Sequence, residues 1–167
     1  MPRSEGPRVF RSILCPVDFS SNSRMALRYA VMLARLSDAH LLVLYVTDPL
    51  LVTAAASRPD VRAMLASTEG DLRRFVSSVT SRSTPAIATT VLTIPGKPAS
   101  EIVKAADRHN CDLIVMGYRG AGRASRLLFG STTEGVVRTS RIPVVAVPPA
   151  RRSARLPVSR RALRRAS

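Results

Sequence analysis

Between Val9 and Val147, short apolar runs rich in β-branched residues alternate with longer segments whose apolar positions recur every three or four residues. This alternation predicts repeated strand and helix units around a parallel sheet. The first strand is expected over Val9 to Val17, closing at Pro16-Val17-Asp18. Ser20 or Ser21 then caps a helix whose Ala26, Tyr29, Ala30, Leu33 and Leu36 form one stripe. Leu41 to Val46 is apolar without alternation, the pattern of a central parallel strand covered on both faces. It ends at Thr47-Asp48-Pro49. Residues 50 to 58 show no clear period, and a second helix is expected from Pro59 to Ser81.

Ala86 to Ile94 reads as the third strand, broken by Pro95-Gly96. Pro98 suits the first position of a third helix, where its missing N–H costs nothing, with Ile102, Ala105 and Ala106 turned inward. Asp112 to Met116 is the fourth strand, residues 117 to 130 a loop rich in Gly and Arg, Ser131 to Ser140 a fourth helix and Pro143 to Val147 the last strand. Right-handed crossovers place such helices on both faces of one open, five-stranded parallel α/β sheet. Ligands on these sheets bind beyond the carboxyl ends of the strands where the strand order reverses. The loops after the first and fourth strands are therefore the places to look for chemistry.

Composition narrows the class. The 46% apolar content over 167 residues supports one folded domain with a sizeable core, and rules out a wholly disordered chain. Cys15 and Cys111 both lie in or beside apolar segments, which fits buried thiols in a reducing compartment better than a disulfide. No apolar run approaches the roughly 20 residues of a membrane span. Residues 1 to 12 carry Glu5 and several arginines without an apolar stretch, so a cytoplasmic location is expected. The net charge of +15 is uneven: seven arginines and no acid fall in residues 151 to 167. Residues 1 to 8 are expected to be a flexible segment, 9 to 150 the folded domain and 151 to 167 a disordered Arg-rich tail. That tail makes a second reading available, an interaction module gripping nucleic acid or an anionic membrane, although no aromatic residue is interleaved for base stacking.

The fourth strand leads into Gly117-Tyr118-Arg119-Gly120, then nine residues, then Gly130-Ser131-Thr132-Thr133-Glu134. Glycine suits a place where backbone must approach a ligand or take positive φ. Gly130 and Ser131 are expected to aim the first N–H groups of the next helix, with the positive end of its dipole, at the same space. Ser131-x-x-Glu134 also reads as a capping box. Asp18 is a candidate cap of the first helix, and Tyr118 reads as exposed. Arg119, Arg123 and Arg126 are secondary candidates for phosphate. His40 and His109 stand far apart without a third ligand pattern. A phosphate loop ending in Gly-Lys-Ser/Thr is absent, and no Ser-Gly-Gly pyrophosphate loop follows Asp18. With no poised base, at most slow hydrolysis of a bound triphosphate or self-phosphorylation on Ser131 or Thr133 is expected.

The spacing G-x-x-G, nine residues, G-S resembles the nucleotide-binding pattern of the universal stress protein family, in its ATP-binding subclass. Ile13 to Ser20, Leu44 to Asp48 and Ile142 to Val147 also look like that family's strands, so the likeness covers residues 9 to 148. The resemblance implies a Rossmann-like sheet of the adenine nucleotide alpha hydrolase-like kind. It implies a regulatory or stress-signalling dimer that binds ATP, with or without Mg2+. Pro16, Val17 and Asp18 would lie against adenine and ribose, with Asp18 the polar partner, and Val46 would pack on the base. Met116, Gly117 and Gly120 would line ribose and phosphates, and Gly130, Ser131, Thr132 and Thr133 would close on the phosphate end. The resemblance further implies a homodimer through Val144 to Val147. Two positions depart from the family's habit: Arg119 stands where His is common, and Ala121 where a basic residue is.

Overall fold

Strand residues that point alternately to opposite faces fill two separate cores, and this sets the architecture. The computed structural model describes residues 9–81, 86–118 and 130–149. The strands are β1 (Ser12–Pro16), β2 (His40–Thr47), β3 (Thr89–Pro95), β4 (Leu113–Gly117) and β5 (Val144–Val147). All pair in parallel, in the order β3-β2-β1-β4-β5. The helices are α1 (Ser21–Ser37), α2 (Pro49–Ala55), α3 (Pro59–Thr80), α4 (Pro98–Arg108) and α5 (Ser131–Thr139).

Ile13, Cys15, Leu41, Val43, Leu113 and Val115 turn to one face, where Ala26, Leu27, Ala30 and Ala34 of α1 and Leu72, Phe75 and Val76 of α3 cover them. Their neighbours Leu14, Leu42, Leu44, Ile114 and Met116 turn to the other, under Ile102, Ala105 and Ala106 of α4 and Val136 of α5. A strand with period two that is apolar at every position needs cover on both sides, which is why Leu41 to Leu44 shows no alternation. Each fully buried Leu or Ile contributes on the order of 1.5–3 kcal/mol over its exposed state. Cys15 is completely buried, and the loss of solvent pushes its thiol far above the ordinary range; Cys111 shifts the same way, chiefly from burial. No described helix is long and apolar enough to cross a membrane.

The predicted sheet is the observed one, with shifted ends: β1 starts at Ser12, β3 at Thr89 and β4 at Leu113. The unperiodic stretch after Thr47 is a fifth helix, α2. Asp48 caps it by accepting from the Leu50 N–H at 2.8 Å, and Pro49 occupies its first turn. None of its residues is buried, so it has no apolar stripe to announce it. The Asp-Pro pair was the available signal. The N-terminal segment 1–8, the tail 151–167, Gly120, Arg119, Arg123 and Arg126 lie outside the described residues.

Strand order reverses between β1 and β4. At their amino ends the two strands are closed by Asp112, whose carboxylate accepts from the Arg11 and Ser12 N–H groups and whose own N–H donates to Ser12 at 2.9 Å. Paired residues then run only through Ile13↔Leu113 and Leu14↔Ile114. The Val17 N–H donates to Leu44 on β2, so by alternation Pro16 presents its backbone nitrogen toward β4. Proline has no hydrogen to give there. The ladder therefore parts at the carboxyl ends, and the parting is the crevice of the fold.

Candidate functional site

Three pieces of backbone meet at this crevice: the turn after β1, the end of β4 and the first turn of α5. In the first, Ser20 is the N-cap of α1, its hydroxyl accepting from the Ser23 N–H at 3.1 Å. Of the caps expected, Ser20 is the observed one, and the alternative of Asp18 is corrected. Asp18 lies two residues earlier and its Oδ1 accepts from the Ser20 N–H at 3.1 Å, while the Asp18 N–H donates to Ser23 Oγ at 3.3 Å. The half-buried Asp18 carboxylate is thus oriented by the helix start at the mouth of the crevice. Sequence reasoning passed over Ser23, which is buried and also donates to the Ser20 carbonyl at 3.1 Å; the Ser20-x-x-Ser23 spacing was its signal.

Pro16, Val17 and Met116 are buried, and the side chains of Val17 and Met116 belong to the two cores. What they offer a ligand is backbone. Val46 lies two residues beyond Leu44, the partner of Pro16, and is half-buried against the core of the α4 and α5 face.

The end of β4 differs from expectation in its physical cause. Gly117 does not take positive φ; among the described glycines only Gly96 does, at 150°. A Cβ on Gly117 would lie 3.1 Å from the carbonyl carbon of Asn22 and 3.2 Å from its Cβ and oxygen. The close approach that requires glycine is to the first turn of α1. Asn22 left no local signal, because the contact spans 95 positions of chain.

At α5 the capping box is corrected as well. Gly130, not Ser131, is the N-cap, no side chain caps the helix, and the Glu134 N–H donates to the Gly130 carbonyl at 2.9 Å. Ser131 is therefore the first helical residue and is exposed; Thr132 is half-buried. Glycine cannot cap with a side chain, so the helix start relies on other partners for its leading N–H groups. The Gly130 N–H is already used, donating to the Tyr118 carbonyl at 3.1 Å, and Tyr118 is half-buried rather than exposed. Thr133 is buried and its hydroxyl donates to the Gly117 carbonyl at 2.9 Å. It ties α5 to β4 and sets where the helix begins. Gly120 and the secondary candidates Arg119, Arg123 and Arg126 lie outside the described residues.

Fold and crevice together define an open, doubly wound α/β protein whose strand order reverses between β1 and β4. The chain belongs to the universal stress protein family, whose model matches residues 10–148. A universal stress protein of Methanocaldococcus jannaschii is 32% identical over 145 residues, spanning 85% of this chain and 84% of the relative. The solved universal stress protein UspA from Lactobacillus plantarum superposes with a TM-score of 0.66 at 30% identity, over 82% of this chain and 97% of that one. A universal stress protein crystallised in complex with cAMP superposes with a TM-score of 0.62 at 25% identity, over 84% of this chain and 98% of that one.

Proposed function

We propose that this protein binds an adenine nucleotide, ATP in the first instance, in the β1/β4 crevice and uses it to regulate its own association as a stress-responsive homodimer. The observation that carries the reading is the start of α5: a helix N-terminus without a side-chain cap, fixed against the glycine end of β4 by the Thr133 to Gly117 bond. The N–H groups of Ser131 and Thr132, with the positive end of the helix dipole, suit a phosphate. The Asp18 carboxylate suits ribose hydroxyls or the adenine amino group, Val46 the face of the base, and the backbone of Pro16, Val17, Met116 and Gly117 the space between. Gly120 and Gly130 would complete the phosphate end, Gly130 as the residue that positions the helix. Each hydrogen bond to a charged oxygen contributes on the order of 1.5–3 kcal/mol, and micromolar affinity corresponds to about 8 kcal/mol, so a few such bonds suffice. The cAMP complex of the related protein supports an adenine nucleotide as ligand.

Titration of the protein with ATP, with and without Mg2+, is expected to saturate at micromolar concentration. No saturable heat or fluorescence change up to millimolar ATP rejects the reading.

Regulation follows from two further hydrogen bonds. The Tyr118 carbonyl accepts from Gly130 at the start of α5, and the Tyr118 N–H donates to Val147 at 2.8 Å, at the end of β5. One residue, Tyr118, therefore links the start of α5 to an edge strand through its two backbone groups. Among the described residues β5 pairs only with β4, and its Val145 is 39% exposed. A free strand edge with an exposed valine is a natural surface for a second copy. A nucleotide shifts association only insofar as it binds the two states unequally, and the shift is then reciprocal. The Val145→Arg variant is expected to run as a monomer by light scattering while still binding ATP; a dimer unchanged by this substitution would remove β5 from the proposal.

A further inference from the structure

The turn between β1 and α1 contains a residue whose backbone conformation its type rarely adopts. Phe19 adopts φ 62°, in the left-handed region that a bulky side chain rarely enters. Asp38 and Asn110, the other described non-glycine residues at positive φ, are short polar residues that visit this region routinely. Phe19 is also 36% exposed and is not one of the buried core residues. Strained residues persist where their surroundings over-determine them, and they gather at functional sites.

The surroundings here are two aromatic rings. Phe19 meets Tyr45 of β2 edge-on, with centroids 5.2 Å apart, and Phe75 of α3 with centroids 5.5 Å apart. Such edge-to-face pairs are favourable beyond the area they bury. Phe75 is itself held: the Arg24 guanidinium carbon lies 4.3 Å above its ring, and Arg24 donates to Ser78 at 2.8 Å. The turn is thus fastened to β2 on one side and to α3 on the other.

What the left-handed residue achieves is visible in its neighbours. Because the chain reverses at Phe19, the Ser20 N–H reaches back to Asp18 Oδ1, and the Asp18 N–H reaches forward to Ser23 Oγ. Both bonds span Phe19. We infer that Phe19 is a positioning residue: its ring, wedged between Tyr45 and Phe75, holds the turn and thereby fixes the Asp18 carboxylate in the orientation that receives ribose hydroxyls. This rests on the nucleotide reading above, and Phe19 itself touches no ligand.

The test is Phe19→Asn, because asparagine accepts the left-handed conformation and only the ring contacts are lost. ATP affinity is expected to fall about tenfold, a factor within the usual range for coupled neighbours, while the affinity for 2′,3′-dideoxy-ATP stays within about twofold of the native value. Phe19→Tyr is expected to bind as the native chain does. In an Asp18→Asn background, Phe19→Asn is expected to cost nothing further. Phe19→Gly, which also accepts positive φ, repeats the measurement should the asparagine variant fold poorly. Equal losses for ATP and its dideoxy analogue, or the same loss with Asp18 already replaced, would show a merely structural role and overturn the inference. Native protein that binds ATP alongside variants that bind it equally well would overturn the inference alone. Native protein that fails to bind ATP would overturn the nucleotide reading and this inference with it.

Discussion

Gly117→Val is expected to lower stability by about 1–3 kcal/mol, the usual cost of forcing extra atoms into a packed site. Nucleotide affinity should fall at least about tenfold in the fraction that remains folded, the equivalent of 1.4 kcal/mol or more. The cause is steric and lies within the chain. A Cβ at this position meets the carbonyl carbon and oxygen of Asn22 at 3.1 and 3.2 Å, and backbone in the first turn of a helix cannot swing aside as a side chain would. Either α1 shifts, carrying with it the Ser20 cap that orients Asp18, or β4 does, carrying the carbonyl that Thr133 bonds. Denaturant midpoints and ATP titrations on the same preparations check the two effects together. A midpoint identical to that of the native chain would show that the α1 and β4 contact yields freely. Lost binding at Gly117 thus reports packing as much as ligand contact.

The second large effect is expected at Gly135, inside α5. Glycine within a helix costs about 1 kcal/mol relative to alanine, so its presence calls for a reason. Even one methyl group here would sit 2.8 Å from the Cβ of Ala99 on α4, well inside contact distance. Gly135→Val should therefore push α5 off α4 and destabilise the fold by about 1–3 kcal/mol. It should also displace the amides of Ser131 and Thr132, since a helix moves as a unit, and weaken ATP binding in proportion. Ala99→Gly opens the same space from the other side. The double variant is expected to recover part of the loss, with a favourable coupling of about 0.5–3 kcal/mol between the two positions. Strict additivity in thermal or chemical unfolding would show that the helices do not meet through these residues.

Much of this molecule is legible in its sequence. Unbroken apolar runs at Leu41 to Leu44 and Leu113 to Met116 require cover on two faces, and the helical spacing of the segments between them supplies it. Those are local periodicities, and the parallel sheet with its reversal beside β1 follows from them. The family was equally legible, because the glycine spacing from Gly117 to Gly130 and the strand sequences are carried by residue identity alone. Helix α2 was missed because it buries nothing, and so leaves no period behind, although Asp48-Pro49 marks its start.

The roles of individual site residues were another matter. Ser131 and Glu134 have the spacing of a capping box, yet the helix begins one residue earlier, because the Gly130 amide is drawn to Tyr118 and the Gly130 carbonyl accepts from Glu134. Thr133, expected at the phosphate end, has its hydroxyl committed to the Gly117 carbonyl. Gly117 owes its identity to Asn22, and Phe19 owes its left-handed turn to Tyr45 and Phe75. Sequence by itself determined which segments are strands, which helices carry a buried stripe, and how they wind into one sheet, since these depend on patterns that repeat within a few residues. Tertiary structure alone decided which atoms at the carboxyl end of that sheet are committed to one another. Residues distant along the chain compete there for the same few donors, acceptors and cubic ångströms, and that competition is settled only once they are packed together.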